Sequence, residues 1–509
     1  MTFLGALAAP LLRCYCAPRA AVFARALDDV AAAQRRALAR IVHACAATDY
    51  GRSLGLASGD GVDEFRARVP LVDYPVVEPW ILRQRDECRA VITPGRTRCY
   101  EPTSGSSGPA KHVPYNDALL GSFRSLFAIW AHDLLVHTLH LRSGRTFISI
   151  SSPLRGQEGF NDEREYLGSA MRMFVDRFLV TAPTTKQLRD PERFRDALAC
   201  TLAACSDLEI ISVWNPSYLL ILLEHFELSR ERLLPALPRG RRAVLERDPL
   251  RWHEVWPSLQ LLSCWSEGAA AAPAARLASM FTGATLQGKG LLATEAPVTV
   301  PLAAAGGCVP LVDEVFLELE DKGGDVCLLH EAEESAEYAL VITQAAGLLR
   351  YRLGDRVKIS GRHRGVPLLR FRGRADAVSD LVGEKLNETF VAQALREVAA
   401  AQAFCTLLPV LPESGRPHYW LLTDDPRPVL GQAMEEALMR AFRYREARFL
   451  DQLGALQILV RSDMRRAVHD ALAASGLRAG DIKDRALLPS LELASSVRAR
   501  LMGDQRAPA

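Results

Sequence analysis

Lysine is scarce in this sequence: seven residues (Lys111, Lys186, Lys289, Lys322, Lys358, Lys385 and Lys483) stand against 55 arginines. Where either cation serves, arginine is used, so retained lysines are mildly enriched at places that need a compact ammonium rather than a planar fork, a signal used only where a motif agrees. Net charge is small too, with 62 basic against 60 acidic residues. Without a basic excess or a basic stripe, binding to nucleic acid by phosphate neutralisation is excluded. Long apolar runs are missing. The strongest, YLLILL at 218–223, is six residues long, far from the ~18 needed to span a bilayer, so no membrane partner is expected. The apolar N-terminus (MTFLGALAAPLLRCYC) lacks a basic leader and is followed by Arg13, Arg19 and Arg25; it reads as a core-packing first helix rather than a signal peptide. Paired cysteine motifs are absent as well. The 11 cysteines run from Cys14 to Cys405 without a CxxC, and Cys14-x-Cys16 is too close for a usual disulfide or a zinc knuckle. Reduced thiols used as small hydrophobes fit a cytoplasmic protein. His132, His137 and His140 form the one histidine cluster, and no carboxylate at the next turn completes a ligand set.

What is present is ordinary globular composition, 49% hydrophobic and 24% charged, in a chain of 509 residues. That length predicts two domains. Residues 17–47 repeat apolar positions at helical spacing, giving one long helix or two. RAVITP (89–94) reads as a short β-like run. From 145 onward strand-like runs (TFISIS, LEIISVW, LQLLSCW, EVFLELE, EYALVIT) alternate with helical ones, SYLLILLEHF being announced by Asn215 as cap and Pro216 at its first position. The alternation predicts an α/β fold with largely parallel pairing. LLRYRLGDRVKISG and PLLRFRG read as a meander, and composition shifts after it. The expected division is a domain over 1–373, a hinge at 374–380 and a smaller domain over 381–509, in which VLGQAMEEALMRAFRYREARFL reads as one helix.

Three segments carry chemistry. Thr103-Ser104-Gly105-Ser106-Ser107-Gly108 packs hydroxyls and glycines ahead of Lys111; glycine lets backbone approach an anion, and hydroxyls donate to phosphate oxygens. The spacing does not fit GxxxxGK[ST], so P-loop phosphoryl transfer is disfavoured. Thr294-Glu295 can offer a hydroxyl to phosphate and a carboxylate to Mg²⁺. In Gly347–Asp355 a strand is expected to end at Gly354-Asp355, with a carboxylate suited to both ribose hydroxyls. The apolar helix 118–135 repeats Phe123, Phe127 and Trp130, with Arg124 as its sole basic residue. It reads either as a core stripe with Arg124 at the surface or as the wall of a substrate pocket, Arg124 steering an anion.

Together and in order, TSGSSGPAKHVPY (103–115), WNPS (214–217), GLLATEAPVTVPL (290–302), YALVITQAAGLLRYRLGD (338–355) and FRGRADAVSDLVGEKLNE (371–388) resemble the adenylate-forming superfamily. More closely, they are similar to the Gretchen Hagen family of auxin-type acyl-acid amido synthetases, over roughly residues 20–500. Leu292 stands where the family usually has an aromatic residue, and Ala296 where a small residue often follows the glutamate. The resemblance implies a large ATP- and acyl-binding domain, with sheets flanked by helices and a barrel-like part, and a small mobile α+β lid. It implies that 103–108 and Lys111 hold the phosphates of ATP, that Thr294 and Glu295 meet the α-phosphate and Mg²⁺, and that Asp355 binds the ribose with Tyr351 nearby. Arg374 and Asp376 would mark the hinge, and Lys483 would serve the adenylation step. The implied activity is ATP-dependent joining of a small carboxylic acid to an amine or amino acid by a monomer. A thioester-forming ligase using coenzyme A and a non-catalytic binding protein of the same fold remain the alternatives. No GxSxG elbow is present, and adenylate chemistry requires no enzyme nucleophile.

Overall fold

A computed structural model describes residues 4–102, 111–148, 166–180, 188, 190–374, 378–400, 403–474, 484–488 and 490–504. The chain divides into two compact units, the first reaching Ala375 and the second beginning at Asp376. Three residues of the expected hinge, 375–377, lie outside the described residues.

In the first unit the N-terminal apolar stretch opens a helix, Leu4–Ala26, that buries Leu12, Cys16 and Phe23 and packs along the Asp117–His137 helix. A second helix, Val30–Cys45, starts where the Asp29 carboxylate accepts the Ala32 N–H. The Asp117–His137 helix is capped by Asn116, whose side-chain oxygen accepts the Leu119 N–H at 2.8 Å. It is long and apolar enough by composition to cross a membrane, which a search for uncharged runs passes over. Here Leu119, Leu120, Phe123, Leu126 and Ile129 are built into the main core.

Strands β1 (Thr97–Pro102) and β2 (His112–Asn116) form an antiparallel ribbon. β3 (Arg145–Ile148), β4 (Leu208–Ser212), β5 (Leu261–Cys264) and β6 (Thr285–Gly288) form a parallel sheet in that order. Helices lie between its strands, among them Pro216–Leu228, capped by Asn215 as the sequence indicates. β7 (Thr299–Leu302) pairs with β8 (Gly307–Pro310). β9 (Phe316–Glu320), β10 (Val326–Leu328), β11 (Glu337–Thr343), β12 (Tyr351–His363) and β13 (Val366–Arg374) make an antiparallel sheet ordered 10-9-11-12-13. The expectation of largely parallel pairing is thus corrected: among the described strands of this unit it is confined to β3–β6. The short connections after β9 admit only antiparallel neighbours.

Two local readings also change. β12 does not end at Gly354-Asp355 but runs 13 residues, to His363. Its ladder with β11 shifts register between Ala339 and Val341, opposite Gly354, whose φ is +81°; a bulge turns the strand without stopping it. RAVITP is not a strand. Gln84, buried on the Tyr74–Glu87 helix, accepts the N–H groups of Val91, Ile92 and Thr93 on one side-chain oxygen at 2.7–3.0 Å, so no partner strand is needed.

In the second unit β14 (Val378–Ser379) pairs with β15 (Leu386–Asn387). β16 (Cys405–Val410) runs antiparallel to β17 (His418–Thr423), which runs parallel to β18 (Gln457–Val460). Alternate residues serve two cores: Leu407, Tyr419 and Leu421 face one, Leu408, Val410 and Leu422 the other. The helix expected over 429–450 is two helices, Leu430–Leu438 and Phe442–Phe449. The break folds the second back, so that the Tyr444 hydroxyl and the Arg448 guanidinium both donate to Glu435.

Candidate functional site

The segment from Thr343 to Asp355 is held by groups distant in sequence. Gly347 has φ +100°, and a Cβ there would stand 2.1 Å from the Ile92 carbonyl oxygen; only glycine allows that approach. Beside it the Thr93 hydroxyl donates to Ala346 O at 2.7 Å and the Asn116 amide to Ala345 O at 2.9 Å. Arg350, at φ +44°, buries its guanidinium and grips the Glu318 carboxylate with two bonds of 2.9 and 3.0 Å. It also donates to Val69 O, while Arg66 approaches the same carboxylate at 3.2 Å. The Val72 N–H donates to Arg350 O and the Arg352 N–H to Val72 O. Tyr351, between them, is thereby pinned and buried. Asp355 follows on the bulge, 8% exposed, with Arg374 as its ladder partner on β13.

Thr294 and Glu295 occupy the tip of a tight turn. Gly290 has φ +70°, and the Leu291 N–H donates to the Thr299 hydroxyl at 2.8 Å while Leu291 O accepts from Val298 and Thr299. The Ala293 N–H closes the tip on Ala296 O at 3.1 Å. From β2, the Tyr115 hydroxyl donates to Thr294 O at 2.5 Å. Tyr115 is fully buried and stacks on Phe123 with ring centroids 5.8 Å apart. Burial, reinforced by Tyr166, pushes its phenol well above the ordinary range, so it stays a protonated donor.

Tyr74 joins this neighbourhood from the other side. Its hydroxyl accepts the His112 N–H at 2.7 Å. Burial raises its phenol, and the Glu295 charge adds to that, which places the carboxylate within electrostatic reach. The Lys111 ammonium lies 5.4 Å from the Tyr74 ring centroid. Lys111 thus sits by Tyr74 and Tyr115 by Thr294, the Glu295 charge is felt at both phenols, and Val72, two residues before Tyr74, bridges to Tyr351.

On the Asp117–His137 helix the side chains lie as the core-stripe reading has them. Phe123 is buried in the Tyr115 stack, Phe127 packs partly buried against the same core, and Arg124 is exposed. Thr103, Ser104, Gly105, Ser106, Ser107, Gly108 and Lys483 lie outside the described residues, as does the Arg374 side chain. Among the described residues no group of three or more His, Cys, Asp or Glu could hold a metal ion. Sequence reading missed Gln84, the Arg350–Glu318 fork, Tyr74 and Tyr115, none of which carries a local signature. It also passed over Lys289, whose scarcity as a lysine was a usable signal. Its ammonium donates to the Ser212 hydroxyl at 2.7 Å and lies 4.8 Å from the Trp214 and 5.9 Å from the Trp130 ring centroid.

The fold is that of the adenylate-forming ligases. A solved acyl acid amido synthetase, AtGH3.15 in complex with 2,4-DB, superposes with a TM-score of 0.62 at 17% identity, over 94% of this chain and 95% of that one. The chain belongs to the GH3 (Gretchen Hagen) family: the model of the GH3 family N-terminal domain matches residues 19–244, and that of the central domain matches 314–374. A human GH3 domain-containing protein is 29% identical over 280 residues, 48% of this chain and 51% of that protein. The rice (Oryza sativa subsp. indica) indole-3-acetic acid-amido synthetase GH3.8 is 25% identical over 430 residues, covering 73% of this chain and 71% of the relative. The chain spans about half the length of the human and mouse relatives it matches.

Proposed function

We propose that the protein activates a carboxylic acid as an acyl-adenylate and transfers the acyl group to an amine, with an amino acid as the acceptor class. The observation that carries this is the Thr294–Glu295 turn, fixed by the Tyr115 hydroxyl, with the Glu295 charge felt at Tyr74, over whose ring the Lys111 ammonium lies. The names of the rice and solved relatives, amido synthetases, support the amide as product. In the first half-reaction a carboxylate oxygen bonds to the α-phosphorus of ATP and the bond to the β-phosphate oxygen breaks, releasing pyrophosphate. In the second, the amine nitrogen bonds to the acyl carbon, AMP leaves, and the nitrogen loses a proton to solvent.

The residues have separable tasks. Asp355 accepts the ribose hydroxyls from a position that excludes most water, and Tyr351 lies near the nucleotide. The Thr294 hydroxyl donates to the α-phosphate, and Lys111 with the loop 103–108 meets the outer phosphates. Such preformed donors stabilise charge as it develops. Glu295 fits magnesium, which takes one or two carboxylates plus phosphate oxygens and needs no cage of protein ligands; bound there it would neutralise phosphate charge. The reading extends to a cytoplasmic monomer, to a hinge at 374–380 and to Lys483 as the adenylation lysine of a C-terminal lid.

The test is pyrophosphate release from ATP across a panel of carboxylic acids, repeated with amino acids and with coenzyme A. Acid-dependent release, followed by amide formation with an amino acid, is expected. Thioester formation with coenzyme A alone would replace the amide by the ligase reading, and no release with any acid would leave a binding protein.

A further inference from the structure

The first two helices and the turn between β8 and β9 line a cavity of about 540 Å³ that holds four arginines. Arg19, Val22, Arg25 and Ala26 recur at helical spacing on Leu4–Ala26, as Ala33, Arg36 and Arg40 do on Val30–Cys45, so each helix turns one face to it. The turn supplies Asp313 and Glu314. Buried Gln34 fixes that turn: its amide donates to Val312 O and Val315 O, both at 2.7 Å, and accepts the Leu317 N–H at 2.8 Å.

The charges do not balance. Arg19 takes both carboxylates, at 2.9 Å from Asp313 and 3.0 Å from Glu314. Glu314 also accepts the Ser122 hydroxyl at 3.0 Å, and Arg40 donates to the Asp313 carbonyl at 2.7 Å. Arg25 and Arg36 are exposed, and their guanidiniums have no ion-pair or hydrogen-bond partner among the described residues. In a chain with 55 arginines the residue type alone means little; the gathering of four around one hollow is the signal. A cleft lined by an excess of one sign concentrates ions of the other, and the guanidinium fork matches phosphate geometry. Val22, Ala26 and Ala33 set an apolar patch beside the charges, and the volume suits a small organic molecule. No lining residue belongs to the Thr294–Glu295 turn or to β12, which carry the nucleotide in the reaction proposed above.

We propose that this cavity binds an organic phosphate, a monoester dianion held by Arg25, Arg36 and Arg40 with its small body against Val22, Ala26 and Ala33. The inference does not rest on the adenylation reading.

The test is calorimetric titration of the full chain with phenyl phosphate, benzenesulfonate and inorganic pyrophosphate. It is run in about 0.15 M salt, where loosely held surface charges are largely screened, and with a saturating ATP analogue that cannot be cleaved between its α and β phosphates. Phenyl phosphate is expected to bind about tenfold or more tightly than benzenesulfonate, which has the same ring and one charge fewer. The double variant Arg25→Gln/Arg36→Gln should remove that preference while leaving ATP affinity within about twofold. The proposal is overturned if phenyl phosphate does not bind, if the two ring compounds bind alike, if the variant keeps the preference, or if pyrophosphate alone binds. The comparison of ligands needs no variant, so it stands even if the variant fails to fold. Turnover is not measured, so a protein that releases no pyrophosphate would sink the proposed activity and leave this site untouched.

Discussion

Asp355 owes its position to its neighbour. Gly354, at positive φ on a register shift, turns the strand and leaves the carboxylate nearly dry. If it accepts both ribose hydroxyls, Asp355→Ala should cost roughly 1.5–3 kcal/mol of ATP affinity, about ten- to a hundredfold. An unchanged ATP Kd in a protein with wild-type circular dichroism would refute that role. The sequence named this residue, and named Thr294 and Glu295, because each lies in a short motif whose members are adjacent in the chain. It could not name Tyr115 as the donor that fixes the turn, since 179 residues separate the hydroxyl from the Thr294 carbonyl it holds. Tyr74 escaped for the same reason, its partner His112 lying 38 residues on; Gln84 escaped although its partners lie only seven to nine residues away, because a glutamine closing a loop fits no capping or periodic pattern.

Among the elements, β4, β5, β9 and β11 to β13 were readable from apolar runs and from the meander. The Asn215-Pro216 start was readable because a helix cap is local chemistry. Errors fell where side chains replace backbone partners, as Gln84 does at 91–93, or where tertiary bonds break a helix, as Glu435 does with Tyr444 and Arg448. The Arg350–Glu318 fork belongs to this scale, for it joins β9 to the start of β12 and, through Val69 O, to the chain before Val72. Glu318→Gln keeps the shape but strands a buried guanidinium, and a loss of about 3 kcal/mol or more of unfolding free energy is expected in denaturant titration. A loss below about 1 kcal/mol would mean that the pair behaves like an exposed one.

For the whole molecule, the sequence conveyed the mixed α/β class, and the five ordered segments conveyed the family; the sheet orders came only with the structure. Lys483 tests the two-step reading across the full chain. Lys483→Ala should lower acid-dependent pyrophosphate release by about 10²-fold or more, the usual cost of one lost charge-stabilising donor, and should leave aminolysis of a presynthesised acyl-adenylate far less affected. Equal losses in both half-reactions would make the lysine structural. The scarcity of ε-amines has one more consequence. An acylating reagent meets only seven lysines in this chain, of which Lys322 is exposed while Lys289 is lodged between indoles and Lys111 above a tyrosine ring. Competitive labelling followed by peptide mapping should modify Lys322 first and Lys289 late; early modification of Lys289 would show the indole lodging to be open. With so few ε-amines, and two of those described set against aromatic rings, the chain offers an acylating agent few places to attack.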